Sequence, residues 1–117
     1  MTIEDFAKII QSIDPDAARY QKIRKHSDRA YTVWNDYATD QLMADGRAAE
    51  CTKKIQIDYY TLVEDDPIAQ KFYRELSKND EITVSHLTEF DPETRYIRHI
   101  FDCEVLIDNG VLWWQWL

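Results

Sequence analysis

The sequence predicts an α+β fold: a single mostly antiparallel sheet of about four to five strands with two helices packed on one face. Three observations predict it. Two stretches carry apolar residues at helical spacing behind a capping signal. Four stretches alternate apolar and polar residues with period two, as half-buried strands do. Turn signals join those strands into neighbouring pairs.

Thr2 is placed to cap the first helix, with Glu4 and Asp5 in the first turn, where the helix dipole favours acids. Ile3, Phe6, Ile10 and Ile13, with Ile9 beside them, form one apolar stripe suited to lying on a sheet. Asp14-Pro15 ends it, because the residue before a proline is pushed out of the α region. Residues 17–25 show no settled period; Ala17-Ala18-Arg19 favours helix. The second helix opens at Glu64-Asp65-Asp66-Pro67, with Asp66 as cap and Pro67 at the first helical position. Ile68, Phe72 and Leu76 line one face with Tyr73 flanking, and Lys78-Asn79-Asp80 stops it.

Residues 30–37 read as a strand, with Tyr31, Val33 and Asn35 on one face and Thr32, Trp34 and Asp36 on the other. Residues 38–48, which hold Leu42, Met43 and the turn pair Asp45-Gly46, read as a long excursion between paired strands. Residues 49–61 are the stretch around which the chain is organised. There Ile55, Ile57 and Tyr59 face one way and Gln56, Asp58 and Tyr60 the other. Residues 82–90 and 95–107 form a hairpin about Asp91-Pro92-Glu93-Thr94. On its second strand Ile97, Phe101, Cys103, Val105 and Ile107 share one face; Tyr96, Arg98, Asp102 and Glu104 share the other. Asp108-Asn109-Gly110 is a further turn signal, and 108–117 is a Trp-rich C-terminal segment expected to reverse beside residues 100–107.

A chain of 117 residues is expected to be one domain, 1–117. Its 44% hydrophobic and 13% aromatic content excludes disorder. A net charge of −8, from 22 acids and 14 bases, argues against gripping nucleic acid or an anionic membrane. The basic cluster Lys22, Arg24, Lys25 and Arg29 is interrupted by Asp28 and reads as a solvated connector. No apolar run reaches the ~20 residues of a membrane span, and no secretion signal precedes the first helix. Cys51 and Cys103 are too few for a disulfide framework and read as reduced, buried strand residues in a cytosolic setting.

Catalytic chemistry finds little to work with. No Gly-rich nucleophile turn surrounds any serine, two glycines cannot build a phosphate loop, and CxxC and HExxH are absent. His86 and His99 fall opposite each other if the hairpin turn centres on Pro92-Glu93. Such a pair is a candidate metal site or pH sensor, although a metal wants three or four converging ligands. Asp58, Asp102 and Glu104 lie opposite the apolar faces and read as a solvated acidic face. Leu42 and Met43 in a polar stretch, and Trp113, Trp114 and Trp116 at the end, are candidate interface residues.

The order of segments resembles the small tail-completion, or tail-terminator, proteins of long-tailed phages and prophages of Gram-positive bacteria. A short N-terminal helix precedes AYTVWNDYATD, QLMADGRAAE, KKIQIDYYT and EDDPIAQKFYREL; a terminal hairpin then pairs ITVSHLTEF with RYIRHIFDCEVL. The resemblance spans about residues 30–106. It is a pattern of segments, of which the Met43-Ala44-Asp45 turn is the most particular. It implies a non-enzymatic virion assembly protein without a cofactor. Six copies would form a ring that caps the tail tube and meets the major tail protein and the head-completion protein. DNA would pass through the ring without specific binding. The implied location is the bacterial host cytoplasm during assembly and then the phage tail. The alternatives are a head-tail connector or minor tail protein, a small ligand- or metal-binding α+β protein using His86 and His99, and a host-encoded interaction module.

Overall fold

A computed structural model describes residues 1–20, 29–44 and 47–107, with the backbone alone for 42–44 and 47–50. The elements are α1 (Ile3–Ile13), β1 (Ala18–Arg19), β2 (Ala30–Ala44), β3 (Arg47–Thr61), α2 (Pro67–Ser77), β4 (Ile82–Phe90) and β5 (Ile97–Ile107). They form an α+β fold with one five-stranded sheet in the order β1-β2-β3-β5-β4. Only the β1–β2 pair is parallel. The stretch the sequence marks as central is the middle strand, β3.

Both helices start as expected. In α1, Thr2 Oγ1 accepts from Asp5 N–H while the Asp5 carboxylate accepts from Thr2 N–H, a reciprocal capping box. Its stripe buries Phe6, Ile10 and Ile13. In α2, Asp66 caps Ile68 N–H and Pro67 opens the first turn. Ala69, Phe72 and Leu76 form its buried face. Both helices lie on one side of the sheet, where Phe6 meets Trp34 at 5.9 Å between ring centroids and Phe72 meets Tyr59 at 5.7 Å and Phe101 at 5.5 Å. Ile55, Ile57, Phe101, Cys103 and Val105 form the fully buried floor beneath them. Cys51 is buried as well, and neither cysteine is bridged.

Two sequence expectations are corrected. Residues 38–48 are not an excursion: β2 and β3 pair from Ala30↔Thr61 to Ala44↔Arg47, and Asp45-Gly46 between them lies outside the described residues. Beyond Cys51 the hairpin has no third strand among the described residues. A two-stranded arm has no core face to keep apolar, so the alternation that marks the other strands is missing there. Two register shifts, one leaving out Tyr37 on β2 and one leaving out Ala49 on β3, cancel each other. Second, Ala18-Arg19 is a strand, not the helix that Ala17-Ala18-Arg19 favours. Long-range contacts hold it there: the Arg19 guanidinium pairs with Asp36 at 2.5 Å and lies 5.0 Å from the Trp34 ring centroid. The expected reversal of residues 108–117 beside residues 100–107 lies outside the described residues; among those described, both edges of β5 are occupied. β3 takes one edge along Ile97–Ile107, and β4 takes the other from Ile97 to Val105. The tryptophans of that segment, like most of 17–25, lie outside the described residues.

Asp66 joins the middle strand to the second helix. Its Oδ2 accepts from Tyr59 Oη and Thr61 Oγ1, both at 2.7 Å, while its Oδ1 accepts from Ile68 N–H at 2.9 Å. Burial pushes this carboxyl up, but the three hydrogen bonds together outweigh it and hold it below the ordinary carboxylate value. Replacing Asp66 with alanine removes the cap and strands two buried hydroxyls. We expect a loss of about 3 kcal/mol of unfolding free energy by urea titration. A loss below about 1 kcal/mol would show that the helix cap alone mattered.

Candidate functional site

The β4–β5 hairpin sets the histidines. Its turn is longer than the sequence suggests. Asp91 N–H donates to Tyr96 O at 3.0 Å, and Arg95 adopts φ 66°, a left-handed conformation costly for a residue with a β-carbon. The register therefore pairs His86 with Phe101 and Thr88 with His99, correcting the expected facing pair. A shift of two residues keeps both rings on the same face, so they meet on the diagonal: His86 Nε2 lies 3.0 Å from His99 Nδ1.

The ring centroids are 5.2 Å apart with planes 17° from parallel. That separation is the N···N distance plus one ring radius on each side, so the imidazoles meet nose to nose in nearly one plane. This is the geometry of one N–H shared between two ring nitrogens. A metal between in-line nitrogens would hold them about 4 Å apart. Among the described residues no group of three or more His, Cys, Asp or Glu is placed to hold a metal ion. His86 also stacks on Phe101, 4.7 Å between centroids, and His99 Nε2 is buried without a hydrogen-bond partner among the described residues.

The pair forms one wall of a cavity of about 680 Å³ between α2 and the hairpin, with Asp66, Ala69, Tyr73 and Thr88 among its other lining residues. Burial lowers the basicity of His86. Burial lowers that of His99 as well; His86 adds to the effect and Asp66 opposes it. The neighbouring Cys103 thiol is pushed up to about 12 by burial, which makes it inert as a nucleophile at neutral pH.

Among the described residues no helix lies on the other face of the sheet, which holds Asp58, Asp102 and Glu104. Asp102 and Glu104 are exposed. Asp58 is half-buried, accepting from Arg98 at 3.0 Å and from Gln56 at 3.0 Å. Asp102 accepts from Tyr37 Oη at 2.8 Å; Tyr37 follows Tyr31, Val33 and Asn35 in the alternation that lines this face. Sequence reasoning missed the aromatic cluster beside them. Tyr31 stacks on Tyr60 at 4.6 Å, Tyr96 stands edge-on to both, and Arg98 lies 5.8 Å from the Tyr60 ring centroid. A signal existed: Asp45-Gly46 read as a two-residue hairpin turn would set Tyr31 opposite Tyr60, and the observed pairing has that register because the two shifts cancel. Leu42 and Met43 fall on the arm, paired through their backbones with Glu50 and Ala48. Trp113, Trp114 and Trp116 lie outside the described residues.

No protein-family model matches this chain, and no curated protein matches it. The resemblance rests on the quoted segments alone. No helix among the described residues is long and apolar enough to cross a membrane.

The histidine pair makes a pH prediction. Both folded-state pKa values lie below the ordinary 6.5, so below that pH the unfolded chain binds more protons than the folded one. Stability from the pair is full above pH 6.5 and falls as the pH drops below it. Melting temperature should decline from pH 7.5 to 5, and His99→Gln should flatten that decline. An unchanged slope in the variant would remove the pair as its source.

Proposed function

We propose that this chain is a non-enzymatic assembly protein of a long-tailed phage or prophage, forming a ring that terminates the tail tube and joins it to the head-completion proteins. The observation that carries this reading is the order of segments through residues 30–106. Two structural features support it. Among the described residues, a sheet face bare of helices and a two-stranded arm that pairs only with itself both offer surface for ring neighbours. A net charge of −8 suits a conduit that does not hold DNA phosphates. The partners on this reading are copies of the chain, the major tail protein and the head-completion protein. A head-tail connector or minor tail protein would differ in which of these it binds.

A second reading has its own observation. The cavity beside His86 and His99 has the volume of a small-ligand site. Imidazole NMR shifts that saturate on titration with a small acid would favour it.

The assembly reading is tested at the arm. Leu42→Ser together with Met43→Ser is expected to weaken self-association by roughly tenfold or more, about 1.4 kcal/mol, with the circular dichroism spectrum unchanged. Native mass spectrometry with and without a major tail protein reads this out. A double variant that unfolds would assign both residues to the core. A wild-type chain that neither assembles nor binds tail protein would end the reading. Duplex DNA is expected to show no sub-micromolar binding at ~150 mM salt.

A further inference from the structure

Among the described residues β4 is an edge strand, and it lacks the usual protection. Its nine residues pair with β5 without a bulge, contain no proline and no lysine, and carry one charged residue at neutral pH, Glu89. The other side of the sheet is guarded: β1 is two residues long, and β2 beyond it is bent by the bulge at Tyr37. On β4, Leu87 is 56% exposed and Phe90 is 59% exposed.

The ladder fixes where the free backbone groups point. Asp91 N–H donates to Tyr96 O, and Leu106 N–H donates to Glu81 O. In antiparallel pairing every second residue turns both of its groups toward the partner. The odd-numbered residues of β4 therefore face β5, while Val84, His86 and Thr88 point N–H and C=O outward.

We propose that β4 pairs antiparallel with β4 of a second copy of this chain about a two-fold axis at His86, so that one sheet runs through two molecules. His86 is the middle residue of Ile82–Phe90, so full overlap sets it opposite itself. Val84 then faces Thr88, Ser85 faces Leu87, Thr83 faces Glu89 and Ile82 faces Phe90. The exposed Phe90 and Leu87 each gain a cross-strand neighbour. Glu89 meets a threonine hydroxyl and no like charge. Sliding the register two residues toward the N-terminus would set Glu81 against Glu89. Because each copy carries −8, pairing strengthens as salt rises. This contact is isologous, whereas a ring needs a head-to-tail one, so it does not rest on the ring reading.

Sedimentation of the full chain should show a dimer that tightens with salt. Thr88→Pro removes one outward N–H and leaves the bonds to β5 intact, as edge strands allow; it should be monomeric with an unchanged circular dichroism spectrum. Should that variant fail to fold, Leu87→Lys on the exposed side chain carries the same expectation. His86→Cys should crosslink to a dimer on mild oxidation, because opposed residues of a hydrogen-bonded pair lie within disulfide reach. Ser85→Cys, which faces Leu87, should crosslink at least roughly tenfold less, the loss expected when the sulfurs are not opposed. A chain that stays monomeric at every concentration and salt, a folded Thr88→Pro or Leu87→Lys variant that dimerises like wild type, or equal crosslinking by the two cysteines overturns the proposal. So does a dimer that forms only after residues 111–117 are removed, since the C-terminal segment would then be what covers the edge.

Discussion

The Asp66 carboxylate is the interaction on which the rest of the structure depends. It takes hydrogens from two side chains of β3 and one backbone group of α2. A charge at 7% exposure is costly unless it is satisfied, and here the partners that satisfy it are the middle strand and the second helix. That tie lays α2 over Tyr59 and Phe101, and α1 closes the same layer from the side of Trp34. It also leaves the negative charge on the wall of the histidine cavity, where it offsets part of what burial does to His99.

Once both helices are committed to one face, the other face must be stabilised without them. It is stabilised by cross-strand pairs instead. The tyrosines stack across β2 and β3, and Arg98 links Asp58 on β3 to Glu89 on β4. Aromatic and charge-paired neighbours are the ordinary means of holding a solvated sheet face. The cost is a buried Arg98 Nε without a hydrogen-bond partner among the described residues. Such a face is half-dry and acidic, and among the described residues the sheet that carries it ends at β4, an edge with little to deter pairing. The assembly proposal assigns neighbours to these surfaces.

The two histidines show how finely such arrangements depend on backbone geometry. An even shift in register, set by Arg95 in the left-handed region, turned a facing pair into a diagonal one. An odd shift would have sent one ring to the opposite face. The rings still meet because diagonal neighbours lie within reach of large side chains.

By itself the sequence determined the caps at Thr2 and Asp66, the buried stripe of α1, the buried and solvent-side faces of β3 and β5, and the pairing of neighbouring strands. These depend on residues a few positions apart, whose propensities and periodicity are written locally. Its reading of residues 38–48 failed because a two-stranded arm has no core to impose a pattern, and it left Ala18-Arg19 without a settled period because Asp36 and Trp34 hold that strand from a distance. Only the tertiary structure decided that β3 lies between β2 and β5, that both edges of β5 are taken, that Tyr31, Tyr60 and Tyr96 form one cluster, and that His86 and His99 share a hydrogen bond. Strand order and register are set by loop conformation and by packing between distant segments, and no local window of the sequence contains both partners.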